Sequence, residues 1–357
     1  MKARVIEIVP EITLSVGMIV KNEEKNLPAT LDALKPLLDS VKSELIITDT
    51  GSSDSTVEIA KRYTDKILHF NWVGDFAAAR NVGLKAATGE WFMFLDADEV
   101  FDSDISEMTT FFNNRELSKK YNSATFQRKD YTDADKKTWT TFAAYRIARR
   151  HSGLRFVGKI HENLSPFSEP MYTFGTFAEH TGYTYETEEQ REAKRIRNLK
   201  PIEEMAKKFP NDLRTLIYLY IGLPPGEKEA CLYKILKIAR AKKDDYAEPA
   251  FLEAVRYYYS EGNLSKTLEY ADEYLHLFEN RKTSVLLDIY AIKSAALSNL
   301  GENEQAIIGY EKYLEYYNMY AAGGLSKANE RKIALIFSDK AHCDLIKTRV
   351  AELKSQI

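Results

Sequence analysis

Cysteine is nearly absent from this chain, with Cys231 and Cys343 the only two in 357 residues. They lie far apart, and no histidine stands at zinc-ligand spacing from them. The pair therefore supports neither a disulfide framework nor a zinc site. No apolar run approaches the roughly 18 residues that span a bilayer, so no transmembrane segment is expected. Met1 to Pro10 carries Lys2 and Arg4 but no apolar stretch of signal-peptide length. Secretion is not expected, and a cytoplasmic location is. Excess charge is lacking too. A net charge of −3 gives no electrostatic reason to expect nucleic acid as a partner. After Thr187 glycine and proline become sparse, which excludes a loop-rich fold there.

What is present is ordinary for a globular protein, with 44% hydrophobic and 29% charged residues. The length suits about two domains. The first hundred residues alternate strand and helix signals. Thr13 to Val20 is an apolar strand. Glu24 to Leu38 carries Leu27, Leu31, Leu34 and Leu38 on one helical face. Leu45 to Ile47 predicts a second strand, and Asp54 a cap for a helix over Val57 to Tyr63. Lys66 to Phe70 predicts a third strand. Asp75 is placed to cap a helix from Phe76 to Ala87, which Gly89 stops before a fourth strand. Such alternation argues for a mainly parallel, doubly wound sheet. A helix is then expected over Ser103 to Leu117. Four β-rich stretches follow, Ser123 to Tyr131, Thr138 to Arg149, Arg155 to Leu164 and Thr173 to Tyr183, read as antiparallel additions.

A long charged helix is expected over Glu188 to Phe209, ending at Pro210. Beyond it the chain reads as paired helices. Ala254 to Asn263 leads into Thr267 to Ala271, and Ala295 to Asn303 into Ala306 to Tyr310. Gly262 and Gly301 supply the turns. Their spacing of 39 residues exceeds the roughly 34 of a tetratricopeptide repeat, but the pattern is of that type. Tyr257, Tyr258, Tyr270, Tyr274, Tyr313 and Tyr317 are expected in the inter-helix core rather than on a ligand surface.

The fourth strand ends in Asp96-Ala97-Asp98-Glu99. Ligands of open α/β sheets bind at the carboxyl ends of strands. Two carboxylates two residues apart can there share one crevice, and hard cations join such oxygens to substrate phosphates. A metal–diphosphate site is one reading and an acidic turn the other. Gly51-Ser52-Ser53 is not a phosphate loop, because no Gly-Lys-Thr or Gly-Lys-Ser follows.

Four segments stand in one order: Ile19 to Glu24, Ile46 to Thr56, Asp75 to Asn81 and Phe94 to Glu99. Together they resemble the family-two glycosyltransferases of the GT-A fold, which use a nucleotide sugar and a divalent metal. Arg155 to Glu162, Glu179 to Tyr183 and Arg197-Asn198 resemble a bacterial subgroup. That subgroup includes lipopolysaccharide-core glucosyltransferases and the sublancin S-glycosyltransferase, which carries helical repeats after its catalytic domain. The resemblance covers residues 12 to 209. It implies an α/β GT-A domain over 1–186, a linking helix over 187–210 and an all-α TPR-like domain over 211–357.

The resemblance further implies roles. Asp49 accepts the uracil N–H, or else closes an Asx-turn on its own backbone. Val20, Asn22 and Glu23 line the nucleoside, though Asn22 and Glu23 also suit helix capping. Arg80 meets a pyrimidine edge or phosphate, or forms a structural ion pair. Asp98 binds the metal directly, while Asp96 touches the ribose or reaches the metal through water. His180 completes the metal site, with manganese or magnesium as the ion. Glu162 is the expected general base, with His161 orienting it or serving instead. Asp130, Asp133 and Asp135 are a second source of that base. The expected reaction is inverting transfer of a hexose from a UDP-sugar, UDP-glucose or UDP-N-acetylglucosamine, to a peptide or protein. The alternatives are a surface polysaccharide or lipid-linked glycan as acceptor, and a catalytically silent interaction scaffold. The helical domain is expected to hold the acceptor or to form a homodimer.

Overall fold

The computed structural model describes residues 11–357 apart from 102–103, 132–134, 138, 181, 183–186, 243, 328, 330 and 331. The expectations for Met1 to Pro10, Asp133, Thr181 and Tyr183 lie outside those residues. The chain divides into two compact units, residues 1–201 and 202–357. No helix among the described residues is long and apolar enough to cross a membrane.

The described residues of the first unit form ten strands: β1 (Leu14–Val20), β2 (Ser43–Asp49), β3 (Ile67–His69), β4 (Trp91–Leu95), β5 (Glu99–Phe101), β6 (Ser123–Tyr131), β7 (Trp139–Arg149), β8 (Arg155–Val157), β9 (Asn163–Ser165) and β10 (Met171–His180). Its helices are α1 (Leu27–Ser40), α2 (Thr56–Ala60), α3 (Phe76–Ala86), α4 (Ser106–Asn113) and α5 (Arg115–Ser118). Helix α6 (Glu188–Lys208) runs across the division. Eight strands form one mixed sheet in the order β3-β2-β1-β4-β7-β6-β10-β5. The first four pair in parallel, with Met18 opposite both Ile47 and Leu95.

Strand periodicity explains the two layers. Along β4, Trp91, Met93 and Leu95 enter one core, and Phe92 and Phe94 the other. Along β2, Leu45 and Ile47 take the first side and Ile46 the second. A sheet buried on both faces must read as a continuous apolar run, as these strands do. Helix α1 covers the first face with Leu27, Leu31, Leu34 and Leu37, all fully buried. Each such leucine contributes about 1.5–3 kcal/mol of burial. Ala77 and Leu84 of α3 pack into the second core. Helix α3 starts where expected because Asp75 accepts from the Ala78 N–H at 2.9 Å.

The later strands depart from the simple expectation. Strand β7 is antiparallel to β4 and β6, but β10 runs parallel to β6. The stretch 155–164 is not one strand. Strands β8 and β9 form a separate hairpin, and the loop between them has Gly158 and His161 at positive φ. The helix expected over 103–117 breaks at Asn114, whose side chain caps α5 by accepting from Leu117 N–H at 3.0 Å.

The second unit is helical: α7 (Leu213–Gly222), α8 (Pro225–Lys242), α9 (Ala247–Ser260), α10 (Leu264–Phe278), α11 (Val285–Asn299), α12 (Asn303–Ala321) and α13 (Lys340–Lys354). Gly262 and Gly301 sit at φ 71° and 79° in the turns α9–α10 and α11–α12. That left-handed conformation favours glycine. Asn263 then caps α10, accepting from Lys266 N–H at 3.1 Å. Tyr258, Tyr270, Tyr274 and Tyr313 are buried in the inter-helix core, while Tyr257 and Tyr317 pack partly buried against it.

Candidate active site

Strand order reverses at β1, because β2 lies on one side of it and β4 on the other. Such a switch point opens a crevice at the carboxyl ends of the strands. Three loops meet there. The loop after β1 is stitched to the loop after β2. Asn22, at φ 55°, donates from its N–H to Ser52 Oγ at 3.0 Å and accepts from Ser53 N–H at 2.8 Å. The Glu23 N–H donates to Thr56 Oγ1 at 2.7 Å. The Val20 carbonyl accepts from the Thr50 N–H at 3.0 Å, while its side chain is buried.

Asp49 takes the Asx-turn arrangement, accepting from the N–H groups of Gly51 at 3.2 Å and Ser52 at 3.0 Å. His69 Nδ1 lies 3.5 Å from its Oδ2. Burial raises the Asp49 pKa, but the Ser52, Gly51 and His69 hydrogen bonds outweigh burial and hold it below the ordinary value. A carboxylate offers about four acceptor positions, and the Ser52 N–H and hydroxyl, the Gly51 N–H and His69 occupy these, so another donor must displace one of them. Glu23 accepts from the Asn26 amide at 2.9 Å. Its pKa is raised, first by burial and also by the nearby charges of Asp98 and Asp96.

Asp98 and His180 converge from the turn after β4 and from β10, with Oδ2 and Nε2 3.4 Å apart. Behind them His180 Nδ1 lies 3.0 Å from Asp130 Oδ1 on β6. A carboxylate behind a histidine fixes the ring and raises its basicity, the common outer support of metal-ligating imidazole. Burial lowers the His180 pKa, but Asp130 and Asp98 outweigh it and push the value up to about 9. A Cβ on Gly182 would lie 2.6 Å from both Asp98 Oδ2 and His180 Nε2. Only a residue without a side chain fits against these two atoms. With its Nε2 proton displaced, the imidazole beside the Asp98 carboxylate has the chemistry to hold a divalent ion such as manganese. Among the described residues, no group of three or more His, Cys, Asp or Glu could hold an ion alone.

Asp96 points elsewhere. Its Oδ1 pairs with Arg80 Nη2, and its Oδ2 accepts from Arg146 Nη2 at 2.8 Å. Burial raises its pKa, but Arg146 and Arg80 overcome burial and hold the carboxyl far below its usual range. Arg80 is buried, 5.0 Å from the Phe94 ring centre, and donates from Nε to Glu162 Oε1 at 2.5 Å. Glu162, beside His161 in the β8–β9 loop, is mostly enclosed. Arg80 is therefore an ion-pairing residue between Asp96 and Glu162. Arg146 also donates to the fully buried Glu99, at 2.6 Å. Glu99 in turn accepts from Arg128 at 3.0 Å, and Arg128 donates to Asp130 at 2.7 Å. Glu99 closes the Asp-x-Asp loop on itself, accepting from the Asp96 N–H at 3.0 Å.

The structure thus brings Asp98 to His180, Arg80 to Asp96 and Glu162, and Asn22, Glu23 and Asp49 to neighbouring loops. Asp130, expected as a second source of base, instead braces His180. Asp135 is exposed and pairs with Lys137. Sequence reasoning missed Arg146, Arg128, Glu99 and Gly182. A weak signal existed, since Arg128 and Asp130 are two apart on one strand and so share a face. An arginine within the Tyr145-Arg146-Ile147-Ala148 run of β7 was a second.

A doubly wound α/β sheet with an Asp-x-Asp at its switch point, followed by helices, is the GT-A class of architecture. Residues 15–158 match glycosyl transferase family 2, so the first unit carries a family 2 glycosyltransferase domain. The SPbeta prophage-derived glycosyltransferase SunS of Bacillus subtilis is 27% identical over 65% of this chain and 54% of its own length. A TPR repeat-containing protein of Synechococcus elongatus is 48% identical over 24% of this chain and 20% of its own. The lipopolysaccharide core biosynthesis glycosyltransferase LpsC of Rhizobium meliloti is 27% identical over 28% and 37%. The chain thus spans about half the length, or less, of these relatives. S. aureus TarS in complex with UDP-GlcNAc overlays at a TM-score of 0.41 with 14% identity, covering 74% of this chain and 91% of that one. A likeness that loose carries no further weight.

Proposed function

We propose that this protein transfers a hexose from a UDP-sugar, with inversion, to a peptide or protein acceptor. The observation that carries the reading is the Asp98–His180 pair, braced by Asp130 and set against Gly182, at the switch point of a family 2 domain. In this reading Asp98 and His180 hold a divalent cation, manganese or magnesium. When bound, that ion neutralises charge on the departing diphosphate. Asp49, Asn22, Glu23 and the end of β1 at Val20 receive the nucleoside. Asp96 and Arg80 form the floor between nucleoside and reacting centre.

The acceptor O–H or S–H attacks the anomeric carbon from the face opposite the diphosphate. The bond to the acceptor forms as the anomeric carbon–oxygen bond breaks. The acceptor proton passes to Glu162, and UDP leaves with the bonding pair. Glu162 suits this role because Arg80 holds it at a fixed position. His161, on the same loop, orients it or takes its place. The peptide acceptor rests on the subgroup resemblance, and the helical unit, with its TPR-like turns, offers the surface to hold it or to form a dimer. The similarity to LpsC favours a second reading, the same chemistry on a glycan.

The test is UDP release from UDP-glucose and UDP-N-acetylglucosamine, followed by mass spectrometry of peptide and glycolipid acceptors. Manganese-dependent release and a hexose mass on a peptide are expected. The mass on glycolipid would select the second reading. A folded protein that releases no UDP with any donor and acceptor would refute both.

A further inference from the structure

We propose that Arg146 is a positioning residue that couples the donor-side pair, Asp98 and His180, to the acceptor-side Glu162. This inference rests on the functional reading above. The basis is one unbroken line of opposite charges with Arg146 at its centre. Its Nη2 is shared by Asp96 at 2.8 Å and Glu99 at 2.6 Å. Through Asp96 the line continues to Arg80 and ends on Glu162. Through Glu99 it continues to Arg128 and Asp130 and reaches His180, which faces Asp98. The links come from the turn after β4, from β5, β6, β7, β10 and α3, and from the β8–β9 loop. The sheet ladder sets Glu99, Arg128, Asp130, Arg146 and His180 on neighbouring strands, and side-chain charge ties Arg80 of α3 and Glu162 of the loop to them through Asp96.

Arg146 itself is mostly buried, with its guanidinium 4.4 Å from the Phe94 ring centre. Packing on the ring and two carboxylates leave it one orientation. Without it, Asp96 and Glu99 share no cation and repel one another. Arg80 and Arg128 must then turn inward to compensate, because a buried charge left unpaired is strongly unfavourable. Each turn withdraws a bond from the far end, Arg80 from Glu162 and Arg128 from Asp130. One change at Arg146 thus displaces both ends, although Arg146 bonds to neither. A lysine keeps the charge but not the planar fork, so it restores part of the arrangement.

The experiment compares wild type with Arg146→Met, Arg146→Lys, Glu162→Gln and the Arg146→Lys/Glu162→Gln double variant. Thermal melts by circular dichroism establish which variants fold. Should Arg146→Met fail to fold, Arg146→Lys carries the test. Turnover of the UDP-sugar gives kcat and KM, and titration with UDP and manganese reports the donor end separately. Arg146→Met is expected to lose about 100-fold in kcat and about 10-fold in UDP affinity, with Arg146→Lys between it and wild type. Residues that act as one unit are not additive. The double variant should therefore lose little more than Glu162→Gln alone. Losses that multiply, or an Arg146→Lys protein with unchanged UDP affinity, would overturn the coupling. A Glu162→Gln enzyme as fast as wild type would instead remove Glu162 as base. The coupling would then stand or fall on the UDP titration of the Arg146 variants. A wild type that neither binds nor releases UDP would sink the functional reading and this inference with it.

Discussion

Replacing Gly182 by alanine adds one methyl group at the mouth of the Asp98–His180 pair. Its Cβ would lie 2.6 Å from Asp98 Oδ2, 2.6 Å from His180 Nε2 and 3.0 Å from His180 Cε1. Ordinary carbon contacts begin near ~3.4 Å, so each ligand atom must retreat by about 0.8 Å. Metal–ligand distances tolerate only about 0.2 Å. His180 cannot retreat, because its ring is buried and held from behind by Asp130. Asp98 is partly exposed and can turn away. The methyl group is thus accommodated at a modest cost to folding, about 1–2 kcal/mol, as for mild overpacking. The ion site is lost. UDP affinity measured with manganese should fall by about 100-fold, in line with disrupted ligand support. The assay is isothermal titration with UDP at saturating manganese, paired with a thermal melt without metal. UDP affinity within about threefold of wild type, a difference of roughly 0.7 kcal/mol, would refute the assignment of Asp98 and His180 as a pair facing one ion.

Other predictions concern the scaffold beneath the site. Glu44 is buried and accepts from Ser15 Oγ at 2.5 Å, from Thr88 N–H at 2.6 Å and from Lys66. Burial raises its pKa, but the Lys66, Ser15 and Thr88 hydrogen bonds outweigh burial and hold it at about 2. Its folded pKa is below the unfolded value, so its contribution is complete above about pH 4.5. That contribution is lost as pH falls toward 2. Glu44→Gln should cost about 2–3 kcal/mol near neutrality and flatten the acid limb of the stability curve between those limits. Acid unfolding with an unchanged slope would contradict this. Thr48 is fully buried at the wall of a small cavity beside Arg80, and its hydroxyl has no hydrogen-bond partner among the described residues. Thr48→Val should therefore leave stability unchanged or raise it by about 1 kcal/mol. A denaturation midpoint that falls by more than that amount would show the hydroxyl to be satisfied. Asp98→Ala should abolish UDP release while costing under about 1 kcal/mol in a thermal melt, because a partly exposed strand-end side chain carries little packing.

The parts legible in the sequence are those fixed by neighbours along the chain. Strands β1, β2 and β4 declared themselves by apolar runs at their centres, because burial on both faces leaves few polar positions there. Asp75 announced α3 because an N-cap acts on the next three residues. Gly262 and Gly301 marked their turns because only local φ was at stake. The Asp-x-Asp was visible as a break from apolar to acidic. What stayed hidden depends on distant partners. Arg80 meets Asp96 across 16 residues and Glu162 across 82, and Arg146 meets Asp96 across 50. No spacing rule reaches that far. Gly182 was legible only as part of the segment around His180, since its need for a missing side chain is set also by Asp98, far away in sequence. The β8–β9 hairpin was read as one strand because three-residue strands carry almost no period. Asp130 looked like part of a solvated acidic run, and only the placement of β10 beside β6 turns it toward His180.

The central claim is that Asp98 and His180 make a metal-dependent UDP site. Titration of the intact protein with UDP, in manganese and in chelator, tests it most directly, with Asp98→Ala as the paired variant. UDP is expected to bind in manganese, not in chelator, and not to the folded variant. Equal UDP binding in all three, or none by the folded wild type in manganese, would contradict it.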